Sequence, residues 1–296
     1  MKIGALEAGG TKMVCAIGDE EGRISKRAVF PTQTPDITMP ALIGFFADEG
    51  IEALGIGCFG PIDPNKNSRF YGYITSTPKL AWKNYNIVKT FYDALNIPIG
   101  FDTDVNAAAL GEAAWGALAD CEVGMYITIG TGIGAGICIH GRPLHGLMHP
   151  EAGHILLRKL ENDHYEGNCP YHSNCFEGLA AGPAIEGRWG KKAYDLKDVP
   201  EVWDMEAHYI AQALADYIFC YSPNRIVLGG GVMHQDQLFP LIREKVLEYL
   251  GGYISSDLIN KNIDKYIVPT GLGDDSGIKG ALRLGYIAIM DETEKI

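Results

Sequence analysis

A glycine-rich turn between two apolar runs occurs twice in this sequence and limits the folds that the chain can adopt. Residues 3–8 and 12–18 are apolar runs on either side of Gly9 and Gly10. The pattern returns at residues 124–143, GMYITIGTGIGAGICIHGRP, roughly 120 residues later. Each copy predicts a β-hairpin, because short apolar runs bounded by glycine favour a tight chain reversal. The repeat predicts two related domains.

Strand and helix patterns alternate along the rest of the chain. We predict further strands at residues 24–30, 53–63, 97–103, 225–232 and 265–269. We predict helices at residues 39–49, 85–96, 104–117, 203–223, 237–249 and 276–290. Residues 64–83 and 149–200 lack a regular pattern and are predicted to be irregular. Alternation of this kind is typical of the α/β class, which is the fold class we predict.

The composition limits the classes of partner. The chain has 296 residues, a formal net charge of −12 and no run of Lys or Arg, whereas nucleic-acid-binding proteins normally carry a basic face. An anionic ligand would therefore need local backbone amides or a metal ion. The early glycine turn leaves no room for a signal peptide, and no apolar run reaches membrane-spanning length. We expect a cytoplasmic protein without a nucleic-acid or membrane partner.

The cysteines fall into two groups. Several lie within apolar runs and are predicted to be small core residues: Cys15, Cys58, Cys138 and Cys220. A disulfide framework is not expected in a reducing compartment. Cys169 and Cys175 lie instead in a segment, residues 149–178, that also contains four of the eight histidines. This segment is either a redox-neutral loop with scattered ligands or a metal site.

The spacing within this segment favours a metal site. His154, Cys169, His172 and Cys175 follow the pattern H-x14-C-x2-H-x2-C. Two thiolates and two imidazoles form a closed tetrahedral set for Zn²⁺, with no open position for catalysis. We therefore predict a structural zinc site. The other histidines of this part of the chain are interpreted as loop or surface residues: His145, His149 and His164.

Three glycine clusters follow predicted strands. They are Gly9-Gly10-Thr11, Gly130-Thr131-Gly132 and Gly229-Gly230-Gly231. Glycine allows several backbone N–H groups to point at one anion without an obstructing Cβ, and Thr adds a hydroxyl donor. None matches a P-loop, and GTGIGAG is followed by a strand pattern where a dinucleotide-binding fingerprint requires a helix. The clusters predict phosphate contacts of another kind.

Taken in order, the stretches EAGGTK, GPID, TDVNAAALGE, ITIGTGIGAG, EAGH and LGGGV resemble the ROK sugar-kinase family over nearly the whole chain. The stretch CPYHSNCFEG is most similar to that of the bacterial fructokinases. The resemblance implies two ribonuclease-H-like lobes, as in hexokinase, actin and Hsp70, around a nucleotide and sugar cleft. We expect one lobe at residues 1–118, with a C-terminal helix at about 280–296 packing back on it, and a larger lobe at residues 119–279 that carries the zinc loop.

The resemblance also implies an activity and its residues. It implies transfer of phosphate from ATP with Mg²⁺ to a hexose, with fructose to fructose 6-phosphate as the best match, in a homodimer that carries one Zn²⁺ per chain. The implied ATP and phosphate contacts are Gly9, Gly10, Thr11, Lys12, Gly130, Thr131, Gly132, Pro183, Gly230, Gly231, Val232, Met233 and His234. The implied sugar contacts are Gly60, Pro61, Thr103, Asp104, Glu151, His154 and Glu177.

Phosphoryl transfer to a hydroxyl needs a carboxylate that accepts the hydroxyl proton. Asp102 and Asp104, at the end of a predicted strand, are the candidates, and Asp104 could also be a helix N-cap. The resemblance selects Asp104, since DVN matches the Asp-x-Asn of the family. The chain departs from the family at Glu7, where Asp is usual, and at Thr103, where glucose-type members have Asn.

Three alternatives remain open from the sequence. The first is a mannokinase or glucokinase of the same family. The second is a sugar-responsive transcriptional repressor, which would need an added N-terminal helix-turn-helix, whereas the kinase motif begins at residue 3. The third is a non-catalytic sugar-binding module, against which Asp104 and the two glycine hairpins argue.

Overall fold

The structure is a computed structural model that describes residues 1–77 and 79–293. In chain order its main elements are β1 (Ile3–Ala8), β2 (Lys12–Gly18), β3 (Ile24–Pro31), α1 (Pro35–Phe46), β4 (Ala53–Cys58), β5 (Tyr73–Ile74), β6 (Tyr85–Asn86), α2 (Ile87–Leu95), β7 (Ile99–Thr103), α3 (Asp104–Trp115), β8 (Val123–Ile129), β9 (Ile133–Ile139), β10 (Arg142–Pro143), α4 (Phe176–Ala180), α5 (Gly182–Trp189), α6 (Pro200–Tyr221), β11 (Arg225–Gly229), α7 (Leu238–Leu250), α8 (Asp257–Tyr266), β12 (Ile267–Pro269) and α9 (Ser276–Thr293). Short 3₁₀ turns lie between some of them. The α/β class is confirmed.

The chain divides into two compact units. The first contains Met1–Asp120, Gly141–Pro150 and the chain from Gly271 onward, and the second contains Cys121–His140 and Glu151–Thr270. Residues 141–150 and 271–279, which the sequence assigned to the second lobe, belong to the first unit. Residues 294–296 of the expected C-terminal helix lie outside the described residues.

Both units are built on the same strand arrangement. In the first unit the order is β3-β2-β1-β4-β7, with β1, β4 and β7 parallel and the β1–β2–β3 meander antiparallel. In the second unit β8 pairs with β9 antiparallel and with β11 parallel, and β12 follows β11 in parallel. Each repeated glycine pattern is therefore the tip of a hairpin next to parallel strands.

This topology decides where the functional residues of the first unit meet. The carboxyl ends of parallel strands lie at one edge of a sheet, and loops at that edge commonly bind ligands in open α/β sheets. Here the edge carries the hairpin tip after β1, the Phe59–Pro61 segment after β4 and the start of α3 after β7. The Phe59 N–H donates to Ala8 O at 2.9 Å, which keeps the first two segments together.

Helix α9 covers one face of the first sheet at unusually close range. A Cβ built on Gly55 of β4 would lie 1.8 Å from the backbone oxygen of Ala281 in α9. A Cβ on Gly280 would lie 1.5 Å from the backbone oxygen of Ala107 in α3. Glycine is required at these positions because two backbones approach closely there. The other face packs against α1 and α2 through a cluster that includes Leu42 and Phe46.

The buried carboxylate of Glu112 joins α3 to the segment that leads into α9. It is fully buried and accepts hydrogen bonds from four donors: Ala117 N–H (2.7 Å), Gly271 N–H (3.0 Å), Leu272 N–H (3.1 Å) and Ser276 Oγ (2.7 Å). A buried carboxylate is stable only when such donors satisfy it. Glu112 thus fixes where α9 begins.

Several sequence predictions were wrong in detail. Helix α8 was not predicted, and the segment predicted to be irregular at 149–200 contains α4 and α5. Cys220 was predicted to be buried but is exposed on α6, whereas Cys15, Cys58 and Cys138 are buried as expected. Across the described residues, no helix combines the length and the apolar character needed to span a bilayer.

Candidate functional site

The tip of the first hairpin is closed by its own backbone and by one threonine. Gly9 N–H donates to Lys12 O at 3.1 Å. Thr32, just after β3, donates from its N–H to Thr11 O at 3.0 Å and from its hydroxyl to Gly9 O at 2.7 Å. Thr11 and Lys12 are exposed, and Gly10 is partly exposed. The tip is therefore held in shape while its outer surface stays accessible.

Two carboxylates lie near this tip. Glu7 comes from the end of β1, and Asp104 is the first residue of α3. Burial, together with the negative charge of Asp104, raises the pKa of Glu7 from 4.5 to about 7. A Cβ on Gly277 would lie 2.8 Å from Glu7 Cδ, so the glycine at the start of α9 leaves room for the longer glutamate. Paired carboxylate oxygens are ligands that suit Mg²⁺.

The raised pKa of Glu7 predicts a pH-dependent stability. The folded chain keeps the Glu7 proton between pH 4.5 and about 7, whereas the unfolded chain has lost it. The stabilisation by protonated Glu7 is therefore lost as pH rises through this window. The free energy of unfolding falls by about 3 kcal/mol in total. We expect Glu7→Gln, which cannot ionise, to be clearly more stable than wild type at pH 8 and nearly equal to it at pH 5.

Thermal unfolding of both proteins at several pH values measures this difference. Glu292→Gln, a change at an exposed carboxylate of α9, is the matched control and should follow wild type at every pH. If the stability difference between Glu7→Gln and wild type does not grow between pH 5 and pH 8, the pKa of Glu7 is not raised in the folded protein.

Asp102 and Asp104 have different environments. Asp102 is 2% exposed and accepts from Thr103 N–H (2.8 Å), Asn106 Nδ2 (2.7 Å) and His145 Nε2 (2.9 Å). With three donors and little exposure, Asp102 is committed to holding the end of β7. Asp104 is partly exposed and its Oδ1 accepts from Val105 N–H at 2.8 Å.

The N-cap of α3 is Thr103. Its hydroxyl accepts from Asn106 N–H at 3.1 Å, so the interpretation of Asp104 as the cap was wrong. His145 was interpreted as a loop residue, but its hydrogen bond to Asp102 raises its pKa and ties the loop to β7. His149, also read as a loop residue, is buried. No local pattern in the sequence links His145 to Asp102.

The Gly60–Pro61 peptide, a candidate sugar contact, is cis and follows β4. The backbone oxygen of Pro61 accepts from both the N–H and the hydroxyl of Thr75, at 2.8 and 3.0 Å. This pairing fixes the start of the long loop at residues 64–83 at the same sheet edge as Asp104.

In the second unit, three predicted phosphate-binding segments converge. Gly182 N–H donates to Gly130 O at 2.7 Å, which places Pro183, at the start of α5, beside the second hairpin tip. Gly230 has φ +90°, and a Cβ there would lie 2.5 Å from Ile129 O. A Cβ on Gly130 would lie 3.7 Å from Gly231 N. Only glycine allows this approach of the chain after β11 to the end of β8.

The remaining predicted nucleotide residues of this unit lie on a 3₁₀ turn, Gly231–His234. Val232 and Met233 are buried in the unit, whereas His234 is exposed. The side chains of Val232 and Met233 therefore belong to the core of the second unit. Thr131, at the hairpin tip, is exposed.

The four predicted metal ligands form one cluster. The ligand atoms of His154, Cys169, His172 and Cys175 all lie within 4.8 Å of one another. Cys169 Sγ is 3.8 Å from His154 Nδ1 and 3.7 Å from His172 Nδ1, and Cys175 Sγ is 3.7 Å from His154 Nδ1. Tetrahedral Zn²⁺ with its usual bond lengths separates its ligands by about 3.5 Å. The donor set and its spacing fit such an ion.

The cluster is directly connected to the second hairpin. Cys175 is the N-cap of α4, and in the first turn of that helix Glu177 Oε2 accepts from Ile133 N–H at 2.9 Å. Gly153, next to His154, packs so closely that a Cβ would lie 2.0 Å from Ile133 O. Glu151 is exposed just before this turn. Glu177, predicted from the sequence as a sugar contact, thus also holds the start of β9.

The chain is similar over nearly its whole length to known proteins of one family. The model of the ROK family matches residues 3–286. A protein of Bacillus subtilis named putative fructokinase is 51% identical over 290 residues, 98% of this chain and 97% of the relative. The fructokinase of Pediococcus pentosaceus is 46% identical over 98% of this chain and 99% of its own. The crystal structure of a ROK hexokinase from Thermus thermophilus superposes with a TM-score of 0.82 at 27% identity, covering 98% of this chain and 100% of that one.

Proposed function

The chain belongs to the ROK family, and on this premise we propose that it transfers the terminal phosphoryl group of ATP to D-fructose, giving D-fructose 6-phosphate. The observation that carries the proposal is the similarity to fructokinases over nearly their full length, at 51% and 46% identity. The site supports it, because an accessible carboxylate and a glycine-rich hairpin tip lie at one sheet edge of the first unit.

The proposed chemistry assigns a role to each group of the first unit. Asp104 accepts the proton of the attacking hydroxyl, since it is the partly exposed carboxylate while Asp102 is fully engaged. The backbone N–H groups and Thr11 at the hairpin tip bind phosphate oxygens. Mg²⁺, which accompanies ATP, would neutralise phosphate charge when bound, and Glu7 with Asp104 offers it oxygen ligands. The hydroxyl of Thr103 accepts a hydrogen bond as the N-cap of α3, so it can meet a sugar only in the orientation that this role imposes.

The second unit supplies the remaining contacts in this proposal. The tip at Gly130-Thr131-Gly132, with Gly182-Pro183 and the turn after β11, binds the nucleotide through backbone groups. A structural Zn²⁺ held by His154, Cys169, His172 and Cys175 orders the segment that carries Glu151 and Glu177 for sugar hydroxyls. We also propose that the active species is a homodimer, as expected from the sequence resemblance.

A coupled assay of ADP production tests the proposed function. Purified protein with Mg²⁺ and Zn²⁺ is given ATP and, separately, fructose, mannose, glucose and N-acetylmannosamine. We expect the highest kcat/KM with fructose. A higher kcat/KM with mannose or glucose would change the proposed substrate and leave the proposed reaction in place. No ADP above background with any sugar would overturn the kinase proposal.

A further inference from the structure

The long loop after β4 brings one lysine to the tip of the first hairpin. Lys79 precedes a 3₁₀ turn, Leu80–Trp82, in which Trp82 N–H donates to Lys79 O at 2.8 Å. Trp82 is 1% exposed, and its indole N–H donates to Gln33 O at 2.7 Å. A buried tryptophan with a satisfied N–H is a rigid anchor for the loop around it.

This anchor is continuous with the hairpin tip. Gln33 follows Thr32, the residue whose N–H and hydroxyl bind the backbone oxygens of Thr11 and Gly9. The backbone of Lys79 is also fixed on its other side, because its N–H donates to Thr77 Oγ1 at 3.2 Å. A continuous series of hydrogen-bonded residues therefore joins the backbone of Lys79 to the glycine tip.

The side chain of Lys79 lies against the tip. A Cβ built on Gly10 would be 3.4 Å from Lys79 Cε, so the last carbon before the ammonium group is in van der Waals range of this glycine position. Other lysines of the first unit are in ion pairs, such as Lys66 with Asp291 and Lys89 with Asp93. Within residues 1–77 and 79–293, the ammonium of Lys79 has neither a hydrogen bond nor an ion pair.

The chemistry of the site explains why a cation belongs there. The proposed reaction places a highly charged phosphate next to the carboxylates of Glu7 and Asp104, in a chain with a net charge of −12. Charge develops on the equatorial oxygens of a phosphoryl group in transfer, and fixed cations at those oxygens stabilise the transition state. Lys12 begins strand β2 of the hairpin itself, whereas Lys79 comes to Gly10 from the separate loop after β4.

We propose that Lys79 is a catalytic residue that binds the oxygens of the phosphoryl group during its transfer. In that step the bond from phosphorus to the ADP oxygen breaks, and a bond to the sugar oxygen forms. The hydroxyl proton goes to Asp104, and Lys79 stays protonated throughout. This inference rests on the proposed kinase function and adds a residue that no predicted motif contains.

The test compares two lysines of the same loop. Lys79→Met removes the cation at the tip, whereas Lys83→Met removes an exposed cation four residues further on. We expect Lys79→Met to lower kcat about 100-fold, with an unchanged KM for fructose and an unchanged Tm, because loss of one fixed donor to a developing anion costs about 10²–10³ in rate. Lys79→Arg keeps the charge and should retain an intermediate kcat, and Lys83→Met should match wild type.

Each other outcome overturns the inference. A kcat of Lys79→Met within threefold of wild type shows that the ammonium does not act in the transfer. An equal loss in Lys79→Met and Lys83→Met shows a general effect of surface charge. A lower Tm or weaker fructose binding in Lys79→Met, with Lys79→Arg no better, shows a structural role. Wild-type protein assayed in parallel separates these results from a failure of the kinase proposal, in which wild type itself makes no ADP.

Discussion

Asp104→Asn is expected to lower kcat by about 10²–10⁴ while the protein stays folded and still binds fructose and ADP. The asparagine cannot accept the hydroxyl proton, but its Oδ1 can keep the hydrogen bond that Asp104 receives from Val105 N–H. The N-cap of α3 is Thr103, so the start of the helix does not depend on the replaced carboxylate. Steady-state kinetics and calorimetric titration of both ligands measure the effect.

Asp102→Asn is the matched control for this experiment. Asp102 accepts hydrogen bonds from three donors. The NH₂ group of an asparagine at this position would face one of these donors and leave it without an acceptor. A buried donor left without an acceptor costs about 1–3 kcal/mol, so the thermal midpoint should fall in this variant and not in Asp104→Asn. A kcat of Asp104→Asn within tenfold of wild type would mean that another group accepts the proton.

Loss of the metal is expected to impair fructose binding by about 30-fold or more, with a smaller effect on ADP binding. Wild-type protein should contain one Zn²⁺ per chain, and Cys169→Ser/Cys175→Ser should contain none. A metal ion held by the cluster would join His154 to the turn around Cys175 and so fix the backbone of Glu151 and Glu177. Without it, ordering these two residues on binding would cost about 2–4 kcal/mol.

Cys220→Ser, on the exposed surface of α6, is the control for the cysteine replacements. It should retain zinc and bind both ligands normally. Metal analysis and calorimetric titration with fructose and ADP give the comparison. Wild-type protein without zinc, or a double variant that binds fructose normally, would refute the proposed role of the cluster.

The parts of the molecule that were predicted correctly from the sequence depend on short-range patterns. The two hairpins are encoded by adjacent apolar runs and glycines, and the sequence-predicted cluster of four ligands depends mainly on the spacing of Cys169, His172 and Cys175. Asp102 and Asp104 were predicted at the end of a strand, and they lie near the end of β7 and at the start of α3; the catalytic role of Asp104 stays a prediction. In each case a few consecutive residues specify the local structure.

The parts that were missed depend on tertiary contacts or on broken periodicity. The partnership of His145 with Asp102 and the approach of Lys79 to Gly10 join residues that no local pattern connects. Helix α8 is interrupted by a non-helical residue, Asn262, and runs directly into β12 at Ile267, so the strand predicted near residues 265–269 included its last residues. Cys220 lies in an apolar stretch of sequence, but the helical rotation of α6 directs it to solvent.

The close packing of α9 has a consequence for how the chain is made. On the ribosome, the strands of the first unit emerge long before α9, whose Ser276 pairs with a carboxylate 164 residues earlier. Until then the face of β4 around Gly55 lacks the helix that packs on it in the folded protein. The nascent first unit must therefore wait, incomplete, while the second unit is synthesised in full. The emergence of α9, and not translation of its own strands, sets the earliest moment at which the first unit can finish folding.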